Sequence, residues 1–336
     1  MLRKSNVVTQ ADLARVLGLS KMTVSYALRD SPMVSEATRL RVKAMAKKMG
    51  YRPNPMVTAL MQQLRSERRT GKADTLAFVL VGFSEKSLMV NPSLKKIHEG
   101  ARQRADQAGF GLEVFVLDRG QLSARRLSQI LLARGIRGCL LMADRAGLPL
   151  LDGMDWSSFA CATYGFTVKN PDMHRVCAFH LHLMLETGRQ LETIGARRIG
   201  LVMDAYLDDP YHLFLAAFHS LGLTLGAGVT LSQMVHQPGE EKNLIDWIRR
   251  KHLDVVISVG QATALSVYRE LQGQEVKVFT LEHPESGPVA GMSHRNFAIG
   301  AAMVDVVTGQ LNRNEYGIPA DPKMILIKGA WREASV

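Results

Sequence analysis

Residues 9–54 read TQADLARVLGLSKMTVSYALRDSPMVSEATRLRVKAMAKKMGYRPN, and their spacing predicts three short helices. Thr9 is a good N-cap, and Asp12 places a carboxylate in the first turn, where it suits the helix dipole. Leu13, Val16 and Leu17 mark one face, and Gly18 supplies the freedom for a tight turn. Leu19 plugs the junction. Ser20 caps a second helix through Arg29, with Val24, Ala27 and Leu28 inward and Lys21, Met22, Ser25 and Tyr26 outward. Ser35 opens a third helix, whose Val42, Met45, Ala46 and Met49 fall at i, i+3, i+4 and i+7 before Gly50 stops it. Two helices joined by a glycine turn and backed by a third make a helix-turn-helix unit.

Charge follows the same division. The 336-residue chain carries a net +11, and residues 1–72 hold 15 basic against 4 acidic side chains, which is the whole excess. The rest of the chain is neutral, so a basic module for a polyanion is joined to a body with another task. Hydrophobic content of 46% and charged content of 22% exclude wholesale disorder. No apolar run approaches the ~20 residues of a membrane span, and the N-terminal stretch lacks a signal-peptide core. Cys139, Cys161 and Cys177 are odd in number and without a C-x-x-C, which implies free thiols in a reducing cytoplasm. The ten histidines form neither H-x-x-H nor H-E-x-x-H, so neither metal nor cofactor is expected.

The pieces D-L-A-x-x-L-G-L-S-K-x-T-V-S, V-S-E-x-T-R-x-R-V and G-Y-R-P-N occur in this order within 9–54. Together they resemble the DNA-binding headpiece of the lactose-repressor (LacI/GalR) family of bacterial transcription regulators. The resemblance implies that the second helix enters the major groove, with Lys21, Met22 and Tyr26 facing bases. Lys21 can donate to guanine O6 and N7, whereas Met22 and Tyr26 offer apolar contacts such as to thymine methyls. Tyr26 stands where the family commonly has Arg, which puts the usual guanine preference in doubt. Thr9, Ser20, Thr23, Ser25, Ser35, Thr38, Tyr51 and Asn54 fall where the family contacts phosphates.

Asn54-Pro55 is an N-cap followed by proline at the first helical position, so a further helix of about ten residues is predicted, marginal alone. By the resemblance it is a hinge helix, paired with a second copy over the operator, with Leu60 as the minor-groove wedge. Arg65, Arg68, Arg69 and Lys72 then read as a basic linker.

From residue 75 apolar strands alternate with helical stretches, the signature of parallel sheets built from βαβ units. Predicted strands are 76–81, 112–117, 139–142, 159–163, 199–203, 255–259 and 276–281, with helices at 93–108, 180–194, 211–221 and 261–272. The resemblance implies a two-lobed effector domain like that of periplasmic sugar-binding proteins. The expected division is a headpiece at 1–54, hinge helix and linker at 55–72, and an effector and dimerisation domain at 73–336. Lobe one then covers about 75–178 and 296–323, and lobe two 179–295 and 324–336.

Ligands of open α/β sheets sit at the carboxyl ends of strands. This nominates Ser84, Asp144, Tyr164, Asp204, Gln261, Glu282 and His283 as effector contacts. By the resemblance His294, Asn296 and Phe214 join them. Phe214 occupies the place of a sugar-binding Arg, and Gly260-Gln261 replaces the family's Asn/Ser-Asp pair, so a standard hexose is not assured.

An enzyme is not expected. The first strand is not followed by G-x-G-x-x-G, and neither G-x-x-x-x-G-K-[ST] nor G-x-S-x-G occurs. The expected protein is a cytoplasmic homodimeric regulator, a repressor, that binds double-stranded operator DNA and a small-molecule effector of carbohydrate type, with no membrane partner. The alternative is a regulator whose effector domain senses a protein or nothing.

Overall fold

The computed structural model describes residues 8–28, 33–51, 74–118, 122–204, 212–237 and 240–335. Helices α1 (Gln10–Leu17), α2 (Lys21–Leu28) and α3 (Glu36–Met49) form the N-terminal unit. Leu13, Leu17, Val24, Ala27, Val42 and Ala46 close its core, and Tyr51 packs against it. Gly18 and Gly50 end α1 and α3 in the left-handed conformation that their positions predict. Asn54, the predicted hinge helix with Leu60, and the linker lie outside the described residues.

The body holds two six-stranded sheets. The first contains β1 (Thr75–Val81), β2 (Gly111–Leu117), β3 (Gly138–Ala143), β4 (Ala160–Tyr164), β5 (Arg175–Ala178) and β11 (Met324–Ile327), in the order β11-β5-β4-β3-β1-β2. The second contains β6 (Arg198–Asp204), β7 (Thr230–His236), β8 (Val255–Ser258), β9 (Lys277–Thr280), β10 (Gly291–Ser293) and β12 (Ala330–Arg332), in the order β12-β10-β9-β8-β6-β7. Pairing is parallel except between β10 and β12. The central strands are apolar on both faces because helices cover both, so they read as continuous runs.

Connecting helices are α4 (Ser87–Val90), α5 (Pro92–Gln107), α6 (Ala124–Ala133), α7 (His180–Thr193), α8 (Leu213–Leu225), α9 (Glu241–Arg250), α10 (Gln261–Glu270) and α11 (Asn296–Arg313). Helices α5 and α11 bury Ile97, Ala101, Ile299 and Met303 with Phe78, Leu80 and Leu140 of the first sheet. Helix α6 buries Leu127 and Leu131 with Val79, Leu141 and Cys161 on its other face. The α5–α11 cluster runs on into the second lobe through Leu201, Phe218, Ile257 and Phe279. All three cysteines are buried and free.

The chain passes between the lobes after β5, after β10 and after β11. The last crossing differs from the expected one: Met324–Ile327 belongs to the first sheet, not to lobe two. The reason is the open side of β5, whose Arg175–Ala178 backbone pairs residue for residue with Met324–Ile327. The crossing then falls at Lys328-Gly329, where a Cβ on Gly329 would press on the Ser293 carbonyl at 2.8 Å.

Candidate functional site

Two places gather the predicted residues: the outer face of α2 and the cleft between the lobes.

In the headpiece, hydroxyls close each helix start. Thr9 Oγ1 accepts from the Asp12 amide, while the Thr9 amide donates back to the Asp12 carboxylate at 3.0 Å, a reciprocal capping box. The Thr9 hydrogen bonds hold the Asp12 carboxyl below its ordinary range. Ser20 Oγ accepts from the Thr23 amide at 3.0 Å, and Ser35 Oγ from the Thr38 amide at 3.4 Å. Tyr51 is tied to α1 by Gln10, whose amide donates to its hydroxyl at 3.1 Å. Thr9, Ser20 and Ser35 therefore sit at helix N-termini, where backbone amides favour anions, whereas Tyr51 follows the end of α3. On α2, Lys21 is exposed and Met22 is 65% exposed, whereas Tyr26 and Ser25 are half-buried. Arg41 has a second role, since its guanidinium donates to the Leu17 carbonyl at 3.3 Å and clamps α3 to the turn.

In the body, Tyr164, Phe214, Glu282 and His294 come together at the cleft. Glu282, just beyond β9, accepts a 2.7 Å hydrogen bond from Ser93 Oγ at the start of α5 in the other lobe. Burial, with the Glu282 charge second, raises the Tyr164 hydroxyl well above its ordinary pKa. Phe214 meets the His180 ring edge-on at 4.5 Å and stacks with His294 at 6.4 Å. Burial lowers the His294 pKa, and burial followed by the His294 charge pushes His180 down to about 4. His294 Nε2 and Asn296 Oδ1 are buried without a partner. A carboxylate and a neutral imidazole thus meet beside aromatic rings, with the buried Asn296 amide oxygen two residues along from His294. This arrangement can orient a small ligand through a few hydrogen bonds.

The other nominated residues each make a contact of their own, although Asp204 Oδ2 and His283 Nε2 are, like His294 Nε2, buried without a partner. Asp144 accepts from the Gly147 amide at 2.6 Å and shapes its own loop, and the Ser84 amide donates to Ser87 Oγ at the start of α4. Asp204 accepts from Thr263 Oγ1 at 2.6 Å, and Gln261 opens α10 beside Pro284 and Val289. His283 Nδ1 accepts from the Glu285 amide at 3.0 Å. Sequence reasoning missed Ser93 and His180. Ser93 follows Pro92 inside a helix start, and His180 follows β5, a four-residue strand without an apolar run to announce it.

The neutral histidines give the body an acid sensitivity. The protonation of His180 is disfavoured in the fold, so the unfolded chain takes up its proton first as pH falls. Stability is full above the ordinary histidine value of about 6.5 and is lost towards about 4, by up to ~1.4 kcal/mol per pH unit for this one group. Urea midpoints are expected to fall between pH 7.5 and 5.5, and to fall less in His180→Asn. Equal slopes in parent and variant would remove His180 as the cause.

Residues 9–54 match the family described as "Bacterial regulatory proteins, lacI family". This segment is similar to a lacI-family helix-turn-helix domain. The HTH-type transcriptional regulator GalR of Salmonella typhimurium (strain LT2) is 44% identical over 57 residues, which are 17% of each chain. That match thus spans about a sixth of the relative's length. Two solved structures align over nearly the whole chain. The transcriptional regulator CelR in its cellobiose complex gives a TM-score of 0.58 at 19% identity, covering 97% of this chain and 98% of that one. The lac repressor dimer bound to operator and the anti-inducer ONPF gives 0.55 at 18%, covering 98% of both. These likenesses show the fold: a helix-turn-helix headpiece on a two-sheet α/β body.

Proposed function

We propose that this chain is a sequence-specific transcription regulator, a repressor, that binds a pseudo-palindromic operator as a homodimer. The observation that carries the reading is the outer face of α2. It presents exposed Lys21 and Met22 between capped helix starts, within the segment that holds the chain's whole +11. A twofold dimer presents two such faces, and twofold protein symmetry calls for a matching repeat in the DNA. Thr9, Ser20, Thr23, Ser25, Ser35, Thr38, Tyr51 and Asn54 are assigned to phosphates, Lys21, Met22 and Tyr26 to bases, and Leu60 to the minor groove.

The inter-lobe cleft is assigned to a small-molecule effector, with Tyr164, Glu282, His294 and Asn296 as its polar contacts. Cellobiose in the CelR complex supports a carbohydrate-type ligand there. An effector that binds one lobe arrangement better than the other shifts the DNA-competent population by that difference in affinity. The chain is read as a cytoplasmic protein without catalytic activity. Its homology to regulators supports this, and among the described residues no helix is long and apolar enough to cross a membrane.

Selection of bound sequences from a random DNA pool tests the reading. The expected product is one inverted repeat, with Lys21→Ala relaxing the sequence at a symmetric pair of positions. That change is worth about 1–3 kcal/mol for each base that is no longer read. Enrichment of no sequence, or of a single half-site bound by a monomer, would overturn it.

A further inference from the structure

A second cavity lies beside the cleft. It measures about 700 Å³ and opens between the β5–β11 edge of the first sheet and α8 of the second lobe. None of the residues assigned to the effector lines it, and it shares with the aromatic cluster only His180. Its size is that of a small-molecule site, for which about 300–1,000 Å³ is usual.

The walls are apolar on both sides. Lobe one contributes Phe166, Ala178, Met324 and Leu326, and lobe two contributes Leu213, Ala216 and Ala217. Met324 and Leu326 are 51% and 41% exposed, so two large apolar side chains of an edge strand stand open toward α8. The polar groups of the lining are spent. Arg175, with a side chain only 6% exposed, donates to the Gly165 carbonyl at 3.1 Å and to Asp172 at 2.6 Å, and lies over the Phe166 ring. Ser220 Oγ donates to the Ala217 carbonyl. What remains is the His180 imidazole, which is neutral at physiological pH.

This chemistry selects its ligand. A polyol would lose water from every hydroxyl and regain almost no partner, a cost that apolar walls do not offset. An anion finds no free counter-charge, because the buried Arg175 is already paired with Asp172. The chain's own tail is held elsewhere, with the Ser335 amide donating to the Gly287 carbonyl at 2.8 Å on the second lobe. We propose that this cavity binds an uncharged, largely apolar small molecule bearing a ring or short chain, separate from the ligand of the polar cleft. Because both lobes wall the cavity, such a ligand senses their relative position and biases the same lobe equilibrium.

Calorimetric titration of the full chain with indole and with cyclohexanol tests this, with ribose and cellobiose as polar controls. Indole is expected to bind with a Kd below about 1 mM. Ala216→Trp, at a position exposed to the cavity, is expected to weaken indole binding at least tenfold. Leu326→Asn is expected to do the same from the opposite wall, with the circular dichroism and melting of both variants unchanged. No indole or cyclohexanol heat in the parent would overturn the proposal, as would equal indole affinity in parent and both variants. It would also be overturned if sedimentation showed a dimer that Ala216→Trp dissociates, since a second copy would then fill the space. None of these readouts uses DNA, so they stand apart from the operator experiment.

Discussion

Operator affinity is expected to fall by about 10³–10⁵ between 50 and 200 mM salt, if each dimer neutralises about 6–10 phosphates. The charge distribution makes this the largest effect available to the protein. All of the +11 lies in residues 1–72, so the proposed homodimer would bring two such segments to the duplex, with the neutral body adding no net attraction. Each cation that replaces a condensed counterion contributes a slope near −0.9 in log affinity against log salt. The described part of α3 carries Arg39, Arg41, Lys43, Lys47 and Lys48, of which Arg41 is already engaged by the Leu17 carbonyl. Together they form a long-range steering face, screened within a Debye length of about 8–10 Å. Anisotropy titrations across that salt range would measure the slope, and Lys47→Ala with Lys48→Ala is expected to flatten it by less than one per site. A nearly flat dependence would mean that phosphates do not carry the binding.

The headpiece was legible because its signals are local. Thr9 with Asp12, Gly18, Ser35 and Gly50 are start and stop residues acting within four positions, and each performs the predicted cap or turn. The central strands were legible for a different reason: between their ends, β1, β3, β6 and β8 are buried on both faces and form runs such as 76–81 and 199–203 without a charged residue. Of the edge strands, β2 is predicted at 112–117, but β7 and β11 are not. Strand β7 is half-open, with polar Ser232 and Gln233 among apolar residues, and β11 reads as apolar although it lies exposed on an edge. Helix α11 begins without a side-chain cap, after Arg295 in the left-handed conformation, so nothing local announces it. The cleft was half legible for the same cause. Tyr164 and Glu282 follow predicted strands, but which strand-end residues meet is decided by how the lobes pack. Asp144 and His283 satisfy loop amides instead, and Asp204 accepts from Thr263 on α10.

Gly300→Ala is expected to destabilise the body by about 2–3 kcal/mol, although alanine in place of glycine normally stabilises a helix interior by about 1 kcal/mol. The sign turns on where α5 and α11 cross. A Cβ on Gly300 would overlap the Ile97 carbonyl oxygen, and one on Gly100 would overlap the Phe297 carbonyl oxygen. Both obstacles are backbone, so no rotamer relieves them, and the helices must separate along a seam that buries Ile97, Ala101, Ile299 and Met303. Gly309 supplies the control within α11 itself. A Cβ there meets only the Arg313 guanidinium, at 3.2 Å, and that flexible end can move away. Gly309→Ala is therefore expected to leave stability unchanged or raise it. At about 2–4 °C per kcal/mol, Gly300→Ala should lower the melting midpoint by roughly 4–12 °C. Calorimetry of the two variants beside the parent decides, and equal midpoints for Gly300→Ala and Gly309→Ala would refute the close crossing. The consequence reaches the site as well. Helix α5 starts beside Ser93, which donates to Glu282, and α11 starts at Asn296, two residues after His294. Forcing the two helices apart must therefore move both Ser93 and Asn296 at the edge of the cleft.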